Sequence, residues 1–108
     1  MTVPANGTYD DPTPLTFTVK FTEIVIVTGT PRLTLTVGAS TKYAAYASGS
    51  GTDTLTFTYV LETGLTDANG IACASSIDLN SGTIKDAIGY NASLSITVPS
   101  LAGVLVAS

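Results

Sequence analysis

Strict alternation of threonine with large apolar residues predicts an all-β fold, an antiparallel immunoglobulin-like β-sandwich of about seven to nine strands. Three observations carry this. Apolar residues recur at period two in four stretches, turn-forming clusters recur about every ten residues, and no window shows the i, i+3, i+4, i+7 spacing of an amphipathic helix.

The first stretch, residues 15–22, places Leu15, Phe17, Val19 and Phe21 on one face and Thr16, Thr18, Lys20 and Thr22 on the other. Residues 32–37 repeat the pattern with Leu33, Leu35 and Val37, and residues 54–61 with Leu55, Phe57 and Tyr59. Residues 92–98 form the fourth, with Leu94 and Ile96 inward. Threonine suits the outward face because its β-branch fits the pleat while its hydroxyl meets water. Weaker strands are expected at residues 24–27, 42–47, 77–79 and 103–106. Thr28-Gly29-Thr30-Pro31, Val37-Gly38-Ala39-Ser40, Ser48-Gly49-Ser50-Gly51 and Asn80-Ser81-Gly82 supply the turns. The expected core is Leu15, Phe17, Val19, Phe21, Leu33, Leu35, Val37, Tyr46, Leu55, Phe57, Tyr59, Ile71, Leu79, Ile84, Leu94 and Ile96.

A length of 108 residues is one domain, spanning residues 1–108. With 44% hydrophobic and only 11% charged residues the chain is too apolar to stay disordered. Four cations against eight acids, a net charge of -4, argue against nucleic acid and anionic membrane surfaces. Histidine is absent, which removes the commonest general base and metal ligand. The single cysteine, Cys73, has no internal disulfide partner and no cationic neighbour in sequence, so it reads as a small core hydrophobe. Residues 1–4 lack the basic and apolar regions of a signal peptide, and no apolar run is long enough to insert in a membrane.

The succession Val3-Pro4-Ala5-Asn6-Gly7-Thr8-Tyr9, then the stretch from Leu15 to Glu23, then Val27-Thr28-Gly29-Thr30-Pro31-Arg32-Leu33-Thr34-Leu35, continues with Tyr46 to Tyr59 and closes on Leu79-Asn80-Ser81-Gly82-Thr83-Ile84-Lys85-Asp86-Ala87. It resembles the bacterial immunoglobulin-like repeats of large secreted or surface-anchored adhesins. The sequence departs from them at Asp10-Asp11-Pro12-Thr13-Pro14, where such repeats carry a Gly-Asp turn, and at Tyr90, which interrupts a Gly-Asn step. The resemblance implies an extracellular stalk or spacer without catalysis, with neighbouring repeats of the same polypeptide or fibre as its partners. The alternative is a binding module that contacts a glycan or a partner surface through loops or the threonine face. For the spacer, the chain ends are expected at opposite poles.

Candidate ligands are oxygen donors. Thr66-Asp67-Ala68-Asn69-Gly70 sets Asp67 and Asn69 two residues apart before a glycine. That is half of a calcium loop, or an Asx turn between strands. Asp10, Asp11 and Asp86 would assist across a domain pole, with Glu23 within reach of an end. Calcium is preferred to zinc because the histidine and cysteine pairs zinc favours are missing. Lys20, Lys42 and Lys85 raise an intramolecular isopeptide bond, which needs a buried lysine beside an amide or acid; the alternation turns Lys20 outward instead. The outward Thr16, Thr18, Thr34, Thr36, Thr54, Thr56 and Thr58 form either a hydroxyl array for a ligand, ice or glycan, or a non-sticky sheet surface. No combination supplies a nucleophile with its base, so no enzyme is expected.

Overall fold

The computed structural model describes residues 1–10 and 13–107, and among these there is no helix. Nine strands form: β1 (Gly7–Tyr9), β2 (Pro14–Thr28), β3 (Arg32–Val37), β4 (Ser40–Ser48), β5 (Thr52–Val60), β6 (Thr66–Asp67), β7 (Ala72–Asp78), β8 (Thr83–Asp86) and β9 (Val104–Ala107). They make a six-stranded sheet in the order β7-β3-β4-β5-β2-β8 and a three-stranded sheet in the order β1-β9-β6. The chain is a β-sandwich, consistent with the immunoglobulin-like arrangement.

Alternation decides which side chains lie between the sheets. Leu15, Phe17, Leu33, Leu35, Leu55 and Phe57 are fully enclosed, and Val104 and Val106 from β9 join the same core. In the β2–β5 ladder Phe17 stands opposite Phe57, while Thr16 faces Thr58 and Thr18 faces Thr56 on the outer surface. Tyr46 meets Phe57 edge-on, with ring centres 6.3 Å apart. Phe21, Tyr46, Leu79, Leu94 and Ile96 correct the expected core: they pack against it but remain partly exposed. Val25, Ala44, Leu61, Ile77, Leu101, Val104 and Val106 complete it, drawn largely from weakly patterned or short segments.

Two strand expectations change. Residues 15–22 and 24–27 belong to one 15-residue strand, β2. Its first half pairs with β5 and its second half gains β8 on the opposite side, while the β5 register shifts between Lys20 and Val25, which stands opposite both Thr52 and Asp86. Residues 92–98 keep the alternating burial but form no ladder. They touch the sheet through one isolated bridge, Ser76 with Ser95, next to that of Lys85 with Asn91 just before them. The Ala92 N–H donates to Ile84 (3.0 Å), the Ile77 N–H to Leu94 (2.9 Å) and the Ile96 N–H to Ser75 (2.8 Å). This segment therefore crosses from the free edge of β8 to the free edge of β7. It covers the two outermost strands of the large sheet, which would otherwise invite pairing with another chain.

β1 and β9 run parallel, Gly7 opposite Val104 and Tyr9 opposite Val106, so the chain enters the small sheet at one end and leaves it at the other. Met1 ends beside Val19 and Phe21, midway along β2, while Ala107 lies opposite Thr66. The molecule measures 44 × 22 × 19 Å along its principal axes.

Candidate functional site

The sequence-derived oxygen donors divide between two ends of the sandwich. Asp67 bonds to the Gly38 turn that starts β4, whereas Asp86 pairs with Val25, beside the Gly49–Gly51 turn that ends β4. The full length of β4 separates them. Tyr9 and Asp67 flank Val106 from its two sides, which puts Asp10 towards the Asp67 end. Asp11 lies outside the described residues. Among the described residues no three or more Asp, Glu or Cys side chains gather as a metal-binding group.

Asp67 is itself the buried polar residue among the described residues, only 5% exposed. One carboxylate oxygen accepts the Gly38 N–H at 2.8 Å and the other the Asn69 N–H at 3.2 Å. The second contact is an Asx turn; the first ties β6 to the β3–β4 hairpin. Gly38 is required there, since it sits at φ +61° and a Cβ would fall 2.4 Å from the Thr66 carbonyl oxygen. Asn69 is exposed and gives its backbone N–H to Asp67.

Asp86 terminates β8 differently. A single carboxylate oxygen accepts the N–H groups of Ile88, Gly89 and Tyr90, each at 2.9 Å. These bonds, the Tyr90 one foremost, hold the carboxyl below its usual range. The loop so fixed displays Ile88 at 82% and Tyr90 at 70% exposure. Ile24 and Ile26, where β2 carries isoleucine in place of outward threonine, are exposed near the same end. Only the turn-forming Asp86 and Gly89 hint at this loop in sequence; its apolar tip is a feature sequence reasoning missed.

Beside the loop opens a cleft of about 510 Å³. Its apolar lining includes Val19, Phe21, Val25 and Ile96, its polar lining Lys20, Glu23, Asp86 and Asn91. Glu23 occupies an inward phase of β2, where the pattern otherwise places Phe21 and Val25, yet it is exposed because the cleft opens there.

The remaining candidates have structural surroundings. Lys20 and Lys85 are exposed, and the half-buried Lys42 reaches Glu62 at 3.4 Å, so none is a buried lysine welded to an amide. Arg32 donates to Asp78 at 2.8 Å and lies 3.8 Å over the Tyr43 ring, covering the outward aromatic of β4. Burial pushes the Cys73 thiol up to about 11, the behaviour of a small hydrophobe and not of a nucleophile. Comparison with known proteins finds no matching family model, no matching curated protein and no matching solved structure.

Proposed function

We propose that this domain is a structural spacer of an extracellular bacterial adhesin or surface fibre, extending a stalk between neighbouring repeats and supporting cell adhesion without a catalytic step. The observation that carries the reading is the parallel pairing of β1 with β9, which puts the start of β1 and the end of β9 at opposite ends of the small sheet, although Met1 itself turns back to lie midway along β2 and not at a pole. Modules joined through such ends propagate along a line instead of folding back on each other. The 44 Å long axis and the two-edge cover by residues 90–96 support the same role. A stalk module must be elongated and must resist edge-to-edge aggregation. Asp67 then serves as an internal tie at one pole, and the threonine face as a hydrated, non-adhesive flank.

Small-angle scattering of two copies joined directly tests this. The spacer predicts a maximum dimension close to twice that of one domain. A compact pair, with a dimension near that of a single copy, would overturn it. The alternative of a partner-binding module draws its support from the cleft between residues 19–25 and 91–97.

A further inference from the structure

The four asparagines differ in what holds the groups around them. An asparagine loses ammonia when the backbone nitrogen of the next residue reaches its Cγ, most readily when that residue is glycine, which has no Cβ in the way. Asn6 before Gly7 and Asn69 before Gly70 meet this condition; Asn80 precedes Ser81 and Asn91 precedes Ala92. The Gly7 N–H is committed to the Gly103 carbonyl at 2.9 Å. The Asn6 side chain packs on Gly103, where a Cβ would fall 2.5 Å from its Cγ. Asn80 gives its side-chain amide to the Thr30 carbonyl at 3.2 Å, and the Ala92 N–H is held by the Ile84 carbonyl at 3.0 Å. None of these restraints applies at residue 69. Asn69 is exposed, and among the described residues neither its side-chain amide nor the Gly70 N–H has a hydrogen-bond partner.

We propose that Asn69 is a self-modification site, converted to aspartyl and isoaspartyl residues with Gly70 as the nucleophile. The Gly70 nitrogen uses its lone pair to form a bond to Cγ of Asn69. The Cγ–Nδ2 bond breaks, and Nδ2 leaves as ammonia with the proton that Gly70 gives up. Water then opens the five-membered imide at either carbonyl. One opening gives aspartate and the other isoaspartate, and both add a carboxylate to a chain of net charge -4. Isoaspartate also lengthens the main chain by one carbon, and the surroundings leave no slack for it. The Asn69 N–H is tied to Asp67 on one side, and the Ile71 N–H to the Val104 carbonyl, at 3.0 Å, on the other. Between them Gly70 lies against the Leu101 carbonyl oxygen, 2.5 Å from where a Cβ would stand. The isoaspartyl form therefore releases the turn that joins β6 to the β3–β4 hairpin, and this pole loosens as the protein ages.

The test incubates the intact chain at neutral pH, folded and in urea, and follows the products at each asparagine by peptide mapping with mass spectrometry. In the folded chain residue 69 should convert at least about fivefold faster than residue 6, where the Gly7 N–H must first give up its bond. In urea both Asn-Gly pairs are unrestrained, and the ratio should fall to about one. A ratio near one in the folded chain, or conversion at residue 69 only after unfolding, would overturn the proposal. Amide exchange reads the consequence. Gly38 and Ile71 should exchange faster in the isoaspartyl form than in Asn69→Asp, which carries the charge without the extra carbon. Equal exchange in the two would overturn the release of the turn. The spacer reading stands or falls separately, by scattering.

Discussion

The β2–β5 ladder and residues 92–98 carry the same sequence signal and fold differently. Both alternate apolar with hydroxyl residues, and in both the apolar set turns inward. In the ladder, seven consecutive residues from Pro14 to Lys20 each face a partner on β5, and the inward side chains are enclosed. Residues 92–98 have a single bridge, Ser95 with Ser76, and one bond from Ala92 to Ile84 of β8, and Leu94 and Ile96 stay half-buried. Alternation is a statement about faces. Whether a ladder forms depends on whether an edge of matching length lies alongside, and this segment spans two short edges instead of following one.

The largest effect that would sharpen the contrast is Phe57→Ala. Removing a fully enclosed aromatic between the sheets should cost about 3–5 kcal/mol in urea melts, a large part of a small domain's stability. Thr56→Ala, its outward neighbour, should cost well under about 1 kcal/mol. Comparable losses would mean that the faces of β5 are reversed.

Ile96→Ala should fall between them, at about 1–2 kcal/mol, because a half-buried side chain leaves a smaller cavity. A cost equal to that of Phe57→Ala would show that the crossing segment is as integral as the ladder. Amide exchange adds a second measure. Phe17 and Phe57 should exchange near the global unfolding limit. In the crossing segment Ile96, bonded to Ser75, should be protected more than Ser95 next to it, whose N–H points the other way.

Acid should weaken the fold through two turns. Arg32 holds Asp78 low, chiefly through its hydrogen bond, and backbone N–H groups hold Asp86 low. A folded pKa below the unfolded one gives stability that is present above the unfolded value and lost as pH falls through the folded one. The urea midpoint should therefore decline below about pH 4. Asp86→Asn, which keeps an acceptor oxygen without the charge, should flatten that decline in proportion to its share. Alkali acts through Tyr59, pushed up to about 12 by burial first and then by its bond to Glu62. Stability should hold below about pH 10 and fall as pH rises towards 12.

The smallest expected effect concerns calcium. Both Asp67 oxygens already accept backbone N–H groups, and Asp86 lies at the other end of β4. Thermal melts in millimolar calcium and in chelator should coincide. A rise of several degrees that disappears in Asp67→Ala would restore the calcium loop to this turn.

The sequence by itself determined the faces. Period-two patterning in residues 15–22, 32–37 and 54–61 names the buried residues because the pleat leaves no other arrangement. The turn clusters at Gly29, Gly38 and Gly49 are likewise local chemistry. The candidate site was less legible. Thr66-Asp67-Ala68-Asn69-Gly70 allows a calcium loop or an Asx turn, and the choice rests on Gly38, 29 residues away, which supplies the N–H that holds the carboxylate inside. The cleft is wholly tertiary. Nothing in Lys20-Phe21-Thr22-Glu23 announces a cleft, because its far wall comes from residues 91–97. Local pattern fixes a side chain's direction; partners distant in sequence fix whether the backbone beside it is paired.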